Sequence, residues 1–440
     1  MARNNSKKRK KPTNQPFQQK DGTAQKVYLK RLYEMANLTG CAEAFHLLTK
    51  KEKTTIYFYR LHYRHPQPAE GTEITPDALK ELSKIIRFYQ QSLFNRFPKH
   101  TDKEVSINDL MAINALKDFI YTCHDSQRVA ELQQAFAPLL QALEEFGNPI
   151  QRMYGYYNYI TLMENRCDET MFGFTTSLEC RNETVLGLYH ELYIHEYEPR
   201  ISHVTFGGKS RTVFQLGWPL VNTGVSWKYL PVEWLGDLYK GDKKHLPICI
   251  QTHALNRFYD RTKALNPMVR VQLEFNIPVR DNFTIYQNQL LFSFHFCHIK
   301  VGYFVANLVG NRVIIRTFLL VTHHYTPEGN KLEELSGLAK EDINYWQIDN
   351  ISTFVDNKLE DHPKIKALFE AAGLSSLFEL RETLKHTDLS NSFNIEGLVK
   401  FIEQGNQEIS NHPLEDDWAA VGFGEEEEES TETLSTDKDN

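Results

Sequence analysis

Apolar positions along the chain repeat first with a helical period, then with a period of two, then with a helical period again. From about residue 25 to 165 the pattern is mainly helical. Thr75-Pro76 opens a helix within Glu73–Phe97, a capping residue followed by proline at the first helical position. Ser106-Ile107-Asn108-Asp109 is a capping box ahead of Leu110–Cys123. Asp125 caps a segment that reaches Phe146 and closes at Gly147 and Pro149. One strand is predicted here, Thr54–His62 (TTIYFYRLH), because its residues are β-branched and aromatic.

From about 183 the alternation is that of strands. Glu183–Glu196 and Ile201–Phe206 lead into Gly207-Gly208 and Ser210–Gly217, a hairpin at a glycine pair. Short strands and loops with Trp218, Trp227 and Trp234 continue to Ile250. A helix follows from Thr252 to about Lys263, and Asn266-Pro267 starts a second one reaching Ile277. Leu290–Cys297, Val301–Val309 and Val313–Thr322 are apolar strands, the last two joined at Gly310-Asn311. Thr326-Pro327-Glu328 opens another helix, and 340–410 is helical, broken at His362-Pro363 and Gly373. The expected class is α+β. The expected organisation is a basic irregular arm 1–24, a mainly helical domain 25–165, a β-rich α+β domain 166–338, a helical region 339–412 and an acidic irregular tail 413–440.

Charge divides the chain in a way that the net value of −7 conceals. Residues 1–31 hold ten Lys/Arg against Asp21 alone, whereas 413–440 hold eleven Asp/Glu against Lys438 alone. Local charge therefore bears on partners, and both tails are candidates for protein contacts. The basic start KKRKKPTNQP leads into no apolar run, and Asn282–Ile299, although free of Asp, Glu, Lys and Arg, alternates in polarity. A soluble, cytoplasmic protein without membrane contact is expected. The six cysteines are scattered without a Cys-x-x-Cys pair, so free thiols are expected, with no cofactor and no metal site. His190 and His195 flank Glu191 and Glu196 on one strand, but nothing else supports a metal there.

The segment 250–325 is where chemistry concentrates. It carries eight Lys/Arg, three acids and five histidines inside an otherwise acidic middle region. In Gln251–Thr262 (QTHALNRFYDRT), His253, Arg257 and Arg261 recur every four residues and line one flank of a helix, with Leu255 and Phe258 seating another. Such a flank either faces solvent or receives a polyanion such as RNA. Lys263, Arg270, Lys300, Arg312, His323 and His324 are the further candidates for nucleic-acid contact.

His253, Ala254, Arg257, Arg261 and Arg316-Thr317, on a helix followed by an antiparallel sheet, resemble part of the barnase–RelE–colicin ribonuclease superfamily over about 75 residues. The second helix between motif and sheet departs from that pattern. The resemblance implies metal-independent RNA cleavage by attack of the 2′-hydroxyl on phosphorus. His253, or a histidine at 323–324, would move the proton, Arg257, Arg261 and Arg316 would stabilise phosphoryl charge, and Thr317 would bind a phosphate oxygen. The expectation is an RNA-directed protein with endoribonuclease chemistry. The alternative is a non-catalytic interaction or scaffold protein using its charged tails.

Overall fold

A computed structural model describes residues 18–92, 95–96, 103–181, 187–206, 208–262, 268–337 and 346–383. The basic arm before Gln18 and the chain beyond Thr383, acidic tail included, lie outside the described residues. The protein is α+β, as its periodicities predict. It divides into two compact units, residues 1–157 with 175–194, and residues 158–174 with 195–440.

The first unit is built on helices α1 (Gln18–Leu38), α2 (Ala44–Leu47), α3 (Lys50–Tyr59), α4 (Pro76–Gln91), α5 (Ile107–Thr122), α6 (Ser126–Ala135), α7 (Ala137–Phe146) and the start of α8 (Pro149–Glu164). The central helix is α5, with ten buried side chains, and it contacts α1, α3, α4, α6 and α7. Short strands β1 (Leu61–Tyr63) and β2 (Gln67–Pro68) run parallel to β6 (Gly187–Tyr197), which also pairs with β5 (Met171–Arg181). β3 (Asn95–Arg96) and β4 (Glu104–Val105) form a separate pair.

The start signals act as read from the sequence. Thr75 caps α4 with Pro76 in its first turn, and Asp125 caps α6. Three expectations need correction. Gln18–Ala24, assigned to the irregular arm, belong to α1. The segment after Asp125 is two helices, parted at Phe136 where Pro138 enters the next first turn. Thr54–His62 is mostly the end of α3, with only Leu61–Tyr63 extended. Thr49 and Glu52 close a capping box that nucleates α3. The hydroxyls of Thr54 and Thr55 then donate to the carbonyls of Lys50 and Lys51, so the β-branched residues are accommodated within the helix.

The box at the start of α5 carries more than a cap. Asp109 accepts from the backbone and hydroxyl of Ser106 (2.9 and 2.7 Å) and from Arg31 of α1 through two bonds of 2.8 and 2.7 Å. Asp109 is 2% exposed, so removing it strands a guanidinium and two Ser106 donors at once. Asp109→Ala should destabilise the first unit by about 3 kcal/mol, the low end for a broken buried pair because Arg31 is half-exposed. Urea unfolding followed by circular dichroism measures this. A loss below about 1 kcal/mol would mean that the box is only a local cap.

The second unit is organised by an eight-stranded sheet. Its members are β7 (Ile201–Phe206), β8 (Lys209–Gln215), β11 (Tyr229–Pro231), β12 (His245–Ile250), β13 (Phe283–Tyr286), β14 (Gln289–Phe296), β15 (Ile299–Val309) and β16 (Arg312–Leu320). The order is β13-β14-β15-β16-β12-β8-β7, with β11 also on β12; β12 and β16 are parallel and the other pairs antiparallel. β9 (Gly217–Leu220) and β10 (Gly224–Trp227) form a separate hairpin. Gly208 and Gly310 adopt positive φ at two of the sheet's turns, the conformation their positions require. Pairing of β7 with β8 agrees with the hairpin read from the glycine pair, although Gly207 itself lies outside the described residues.

Helices α9 (Thr252–Thr262), α10 (Met268–Asn276), α11 (Pro327–Ser336), α12 (Ile351–Asp356), α13 (Pro363–Ala372) and α14 (Leu380–Thr383) complete this unit. α9 presses Ala254, Leu255 and Phe258 into the main core. The Phe258 ring lies 4.9, 5.0 and 5.1 Å from those of Phe294, Phe304 and Phe318, one from each of β14, β15 and β16. This aromatic nest fixes α9 against the sheet and thereby sets the direction of its polar flank.

Candidate nucleic-acid interface

α9 forms where the sequence predicts it, yet its polar flank is divided. His253 is exposed in the first turn and Arg257 is half-buried. The Arg261 side chain is only 10% exposed; its Nη1 donates to the Phe318 carbonyl of β16 at 2.6 Å, and its Nη2 lies 3.9 Å from the Asp349 carboxylate. Arg261 is thus a tether between helix and strand. On the neighbouring flank the Tyr259 ring has the guanidiniums of both Arg166 (5.3 Å) and Arg270 (5.1 Å) against it. Arg166 pairs with Asp168 and donates to Asn256, while Arg270 donates to the Met163 carbonyl at 2.8 Å. Burial above all pushes the Tyr259 hydroxyl up to about 12.

The other predicted residues are also engaged in the fold. Lys300 donates to Glu328 (3.0 Å) and to the Tyr303 hydroxyl (3.2 Å), and that hydroxyl in turn donates to the same carboxylate. His323, His324 and Tyr325 pack ring on ring just after β16, with centroids 4.8 and 3.8 Å apart in succession. Thr317 is buried and paired opposite Val305. Lys263 lies outside the described residues.

Arg316 stands apart from α9, on the side of β16 that also carries Arg312 and Ile314, and it sits at a bulge. Val305 pairs with Thr317 but Ala306 pairs with Ile315, so Arg316 is the extra residue on β16. It is 5% exposed, donates to the Asn307 side chain at 2.9 Å and lies 4.3 Å above the Phe206 ring. Phe206 is two residues from Val204 and shares its side of β7. Val204, Val213, Cys249 and Ile314 make a cluster separate from the core that holds α9. Arg316 therefore lies on the side of the sheet opposite α9. Asn307 is on the neighbouring β15 and Phe206 on β7, so the Arg316 side chain lies along this side across the strands between.

More positive charge gathers here than the helix spacing indicated. Arg211 is paired opposite Val204, on the same side, and Arg312 alternates with Ile314. Burial, then the nearby Arg211, holds the Arg316 guanidinium down to about 10. Burial pushes the Cys249 thiol up to about 11, against the pull of Arg312. Arg200, just before β7, lies 4.4 Å over the Trp227 ring. Across all eight strands there are five Lys/Arg (Lys209, Arg211, Lys300, Arg312, Arg316) and no Asp or Glu. The signal was present in the sequence as two runs without acids, 199–232 and 282–327. The regular spacing on α9 is the more conspicuous pattern and masks them.

Among the described residues no three His, Cys, Asp or Glu side chains are grouped to hold a metal ion. No helix among them is long and apolar enough to cross a membrane. In class, this is an α+β protein whose second unit presents a sheet with arginines on the side away from α9. No protein-family model, curated protein or solved structure matches the chain.

Proposed function

We propose that the protein is RNA-directed and binds the sugar–phosphate backbone across the arginine-bearing side of the eight-stranded sheet. The observation that carries this is the absence of Asp and Glu from all eight strands of a protein whose net charge is −7. An acid-free sheet attracts a polyanion, and guanidiniums match phosphate oxygens bidentately. Arg200, exposed over the Trp227 ring, and the half-buried Arg211 and Arg312 are the guanidiniums open enough to meet phosphate. Sheet-borne aromatics beside cations are also how single strands are held without strong sequence preference.

Binding rather than cleavage is the activity proposed. The cleavage reading needs a proton-transferring ring beside the charge stabilisers. His253 and Arg261 belong to α9, Arg316 belongs to the opposite side of the sheet, and Arg261 is already committed to a strand carbonyl. The test is gel retardation of a mixed single-stranded RNA and its 2′-deoxy counterpart by the full chain at low salt with chelator. Retardation of both without shortening is expected, with log affinity falling by about 0.7 per neutralised phosphate for each decade of salt. Loss of intact RNA but not of the deoxy strand would restore the nuclease reading. Failure to retard either would leave the interaction-protein alternative.

A further inference from the structure

A second, independent site lies in the first unit, in a cavity of about 310 Å³. Parallel pairing of β1 with β6 puts Tyr63 opposite His190, and their rings meet edge to face at 5.7 Å. Tyr157 of α8 stacks on His190 with ring centroids 5.5 Å apart, and Gln90 of α4 donates to its hydroxyl. Asn108 enters from the first turn of α5. His190 is 1% exposed. Tyr63, Asn108 and His190 all line this cavity, and each carries a polar atom buried without a hydrogen-bond partner: Tyr63 Oη, Asn108 Oδ1 and His190 Nε2. Such atoms are rare in folded proteins because each forfeits its hydration, and three residues carrying them on one cavity mark a place built for a ligand's polar edge.

The chemistry of the lining narrows the ligand. Asn108 Oδ1 only accepts, the Tyr63 hydroxyl both gives and takes, and His190 Nε2 does one or the other by tautomer. A planar edge that alternates donors and acceptors answers all three, and the surrounding rings favour a flat group. At the rim stand two exposed cations, Arg64 and Arg87. A neutral polar floor below a cationic rim suits a flat, uncharged head bearing an anionic tail. The volume is at the small end of the roughly 300–1,000 Å³ typical of small-molecule sites, enough for one nucleotide and too little for two.

We infer that this cavity binds a nucleoside monophosphate, base inward against Tyr63, Asn108 and His190, phosphate outward at Arg64 and Arg87. The nucleotide is either free or the end of an RNA strand. The inference does not rest on RNA binding by the sheet, since no residue is shared.

Calorimetric titration of the full chain with the four common nucleoside monophosphates, their nucleosides, inorganic phosphate and a short 5′-phosphorylated RNA tests it. At least one monophosphate, or the RNA end alone, should bind, and its nucleoside should bind at least about ten times more weakly. Tyr63→Phe should abolish that binding while leaving the thermal midpoint unchanged or higher, because it removes only an unpartnered hydroxyl. Arg64→Ala with Arg87→Ala should weaken the phosphorylated ligands at least about tenfold and the nucleosides little. Binding of free monophosphates identifies a metabolite site, and binding of the RNA end alone identifies an end-recognition site. Heat from inorganic phosphate equal to that from the nucleotides, no binding by any ligand, or full binding by Tyr63→Phe would each overturn the inference. Because Tyr63→Phe should still retard RNA through the sheet, failure of one reading is distinguishable from failure of the other.

Discussion

Reversing Arg211 and Arg312 together to glutamate is expected to lower RNA affinity at low salt by about 100-fold or more. Like charge set against phosphate costs several kcal/mol, and every 1.4 kcal/mol is a factor of about ten. Both side chains are half-buried on the side of the sheet that also holds Arg316. Arg316 itself is left alone, because it is buried at the bulge and bonded to Asn307, so its removal would disturb the strand as well as the charge. The same change in net charge is made in the other unit by reversing Lys50 and Lys51, exposed in the first turn of α3, where acids suit the helix end. That control should alter affinity by a small factor only. With glutamine in place of glutamate at 211 and 312, the slope of log affinity on log salt should flatten by about 0.7 for each phosphate no longer neutralised. Thermal midpoints of both variants show whether the fold survives. A folded Arg211→Glu/Arg312→Glu protein that retards RNA as wild type does would remove this sheet side as the interface.

What the sequence revealed follows the range of the interactions involved. Caps at Thr75, Ser106, Asp125 and Thr326 were legible because each is closed by residues within three positions. The strands after Gln289 were legible because they are near-continuous apolar runs rich in β-branched and aromatic residues. Thr54–His62 misled because composition argued for a strand while the deciding signal, the Thr49/Glu52 box, lies just ahead of it. β5 was not singled out within the β-rich domain expected from residue 166, although it pairs with the neighbouring β6.

The candidate site was legible in composition and not in geometry. α9 forms where the spacing predicts it, but its flank is divided, with His253 exposed and Arg261 tied to the Phe318 carbonyl. Arg316 alternates with Arg312 and Ile314 on β16, but which face of the sheet α9 covers is a tertiary fact that leaves no mark in the local pattern. In the first unit the limit is plainer. His190 drew notice only for its neighbour Glu191, whereas its partners across the cavity, Tyr63 and Asn108, come from a parallel strand pairing and a helix start far away in the chain. A constellation assembled across such distances has no periodicity to betray it.

His190 should make the first unit acid-labile in a window set by its own burial. Desolvation holds the imidazole down to about 4, against an ordinary value of 6.5. The folded value lies below the unfolded one, so the unfolded chain takes up the proton first as pH falls. The stabilisation is complete above about 6.5, declines as pH drops through that value, and is gone near 4. One unit of difference corresponds to 1.36 kcal/mol, so about 2 kcal/mol should be lost between pH 7 and 5, and about 3 by pH 4. Burial also lowers His62 and His295, which act in the same direction. Glu52 acts elsewhere: hydrogen bonding to Arg128 chiefly holds it at about 2, so its contribution fades only as pH falls from about 4.5 towards 2. The contribution of His190 is isolated by His190→Phe, which keeps a ring against Tyr157 and removes the titration. Urea unfolding of both proteins at a series of pH values, followed by circular dichroism, gives the difference. Wild type should lose about 2 kcal/mol more than His190→Phe from pH 7 to 5. Parallel pH profiles would show that the ring carries its charge inside the fold, and a charged His190 would replace the neutral cavity floor with a cationic one.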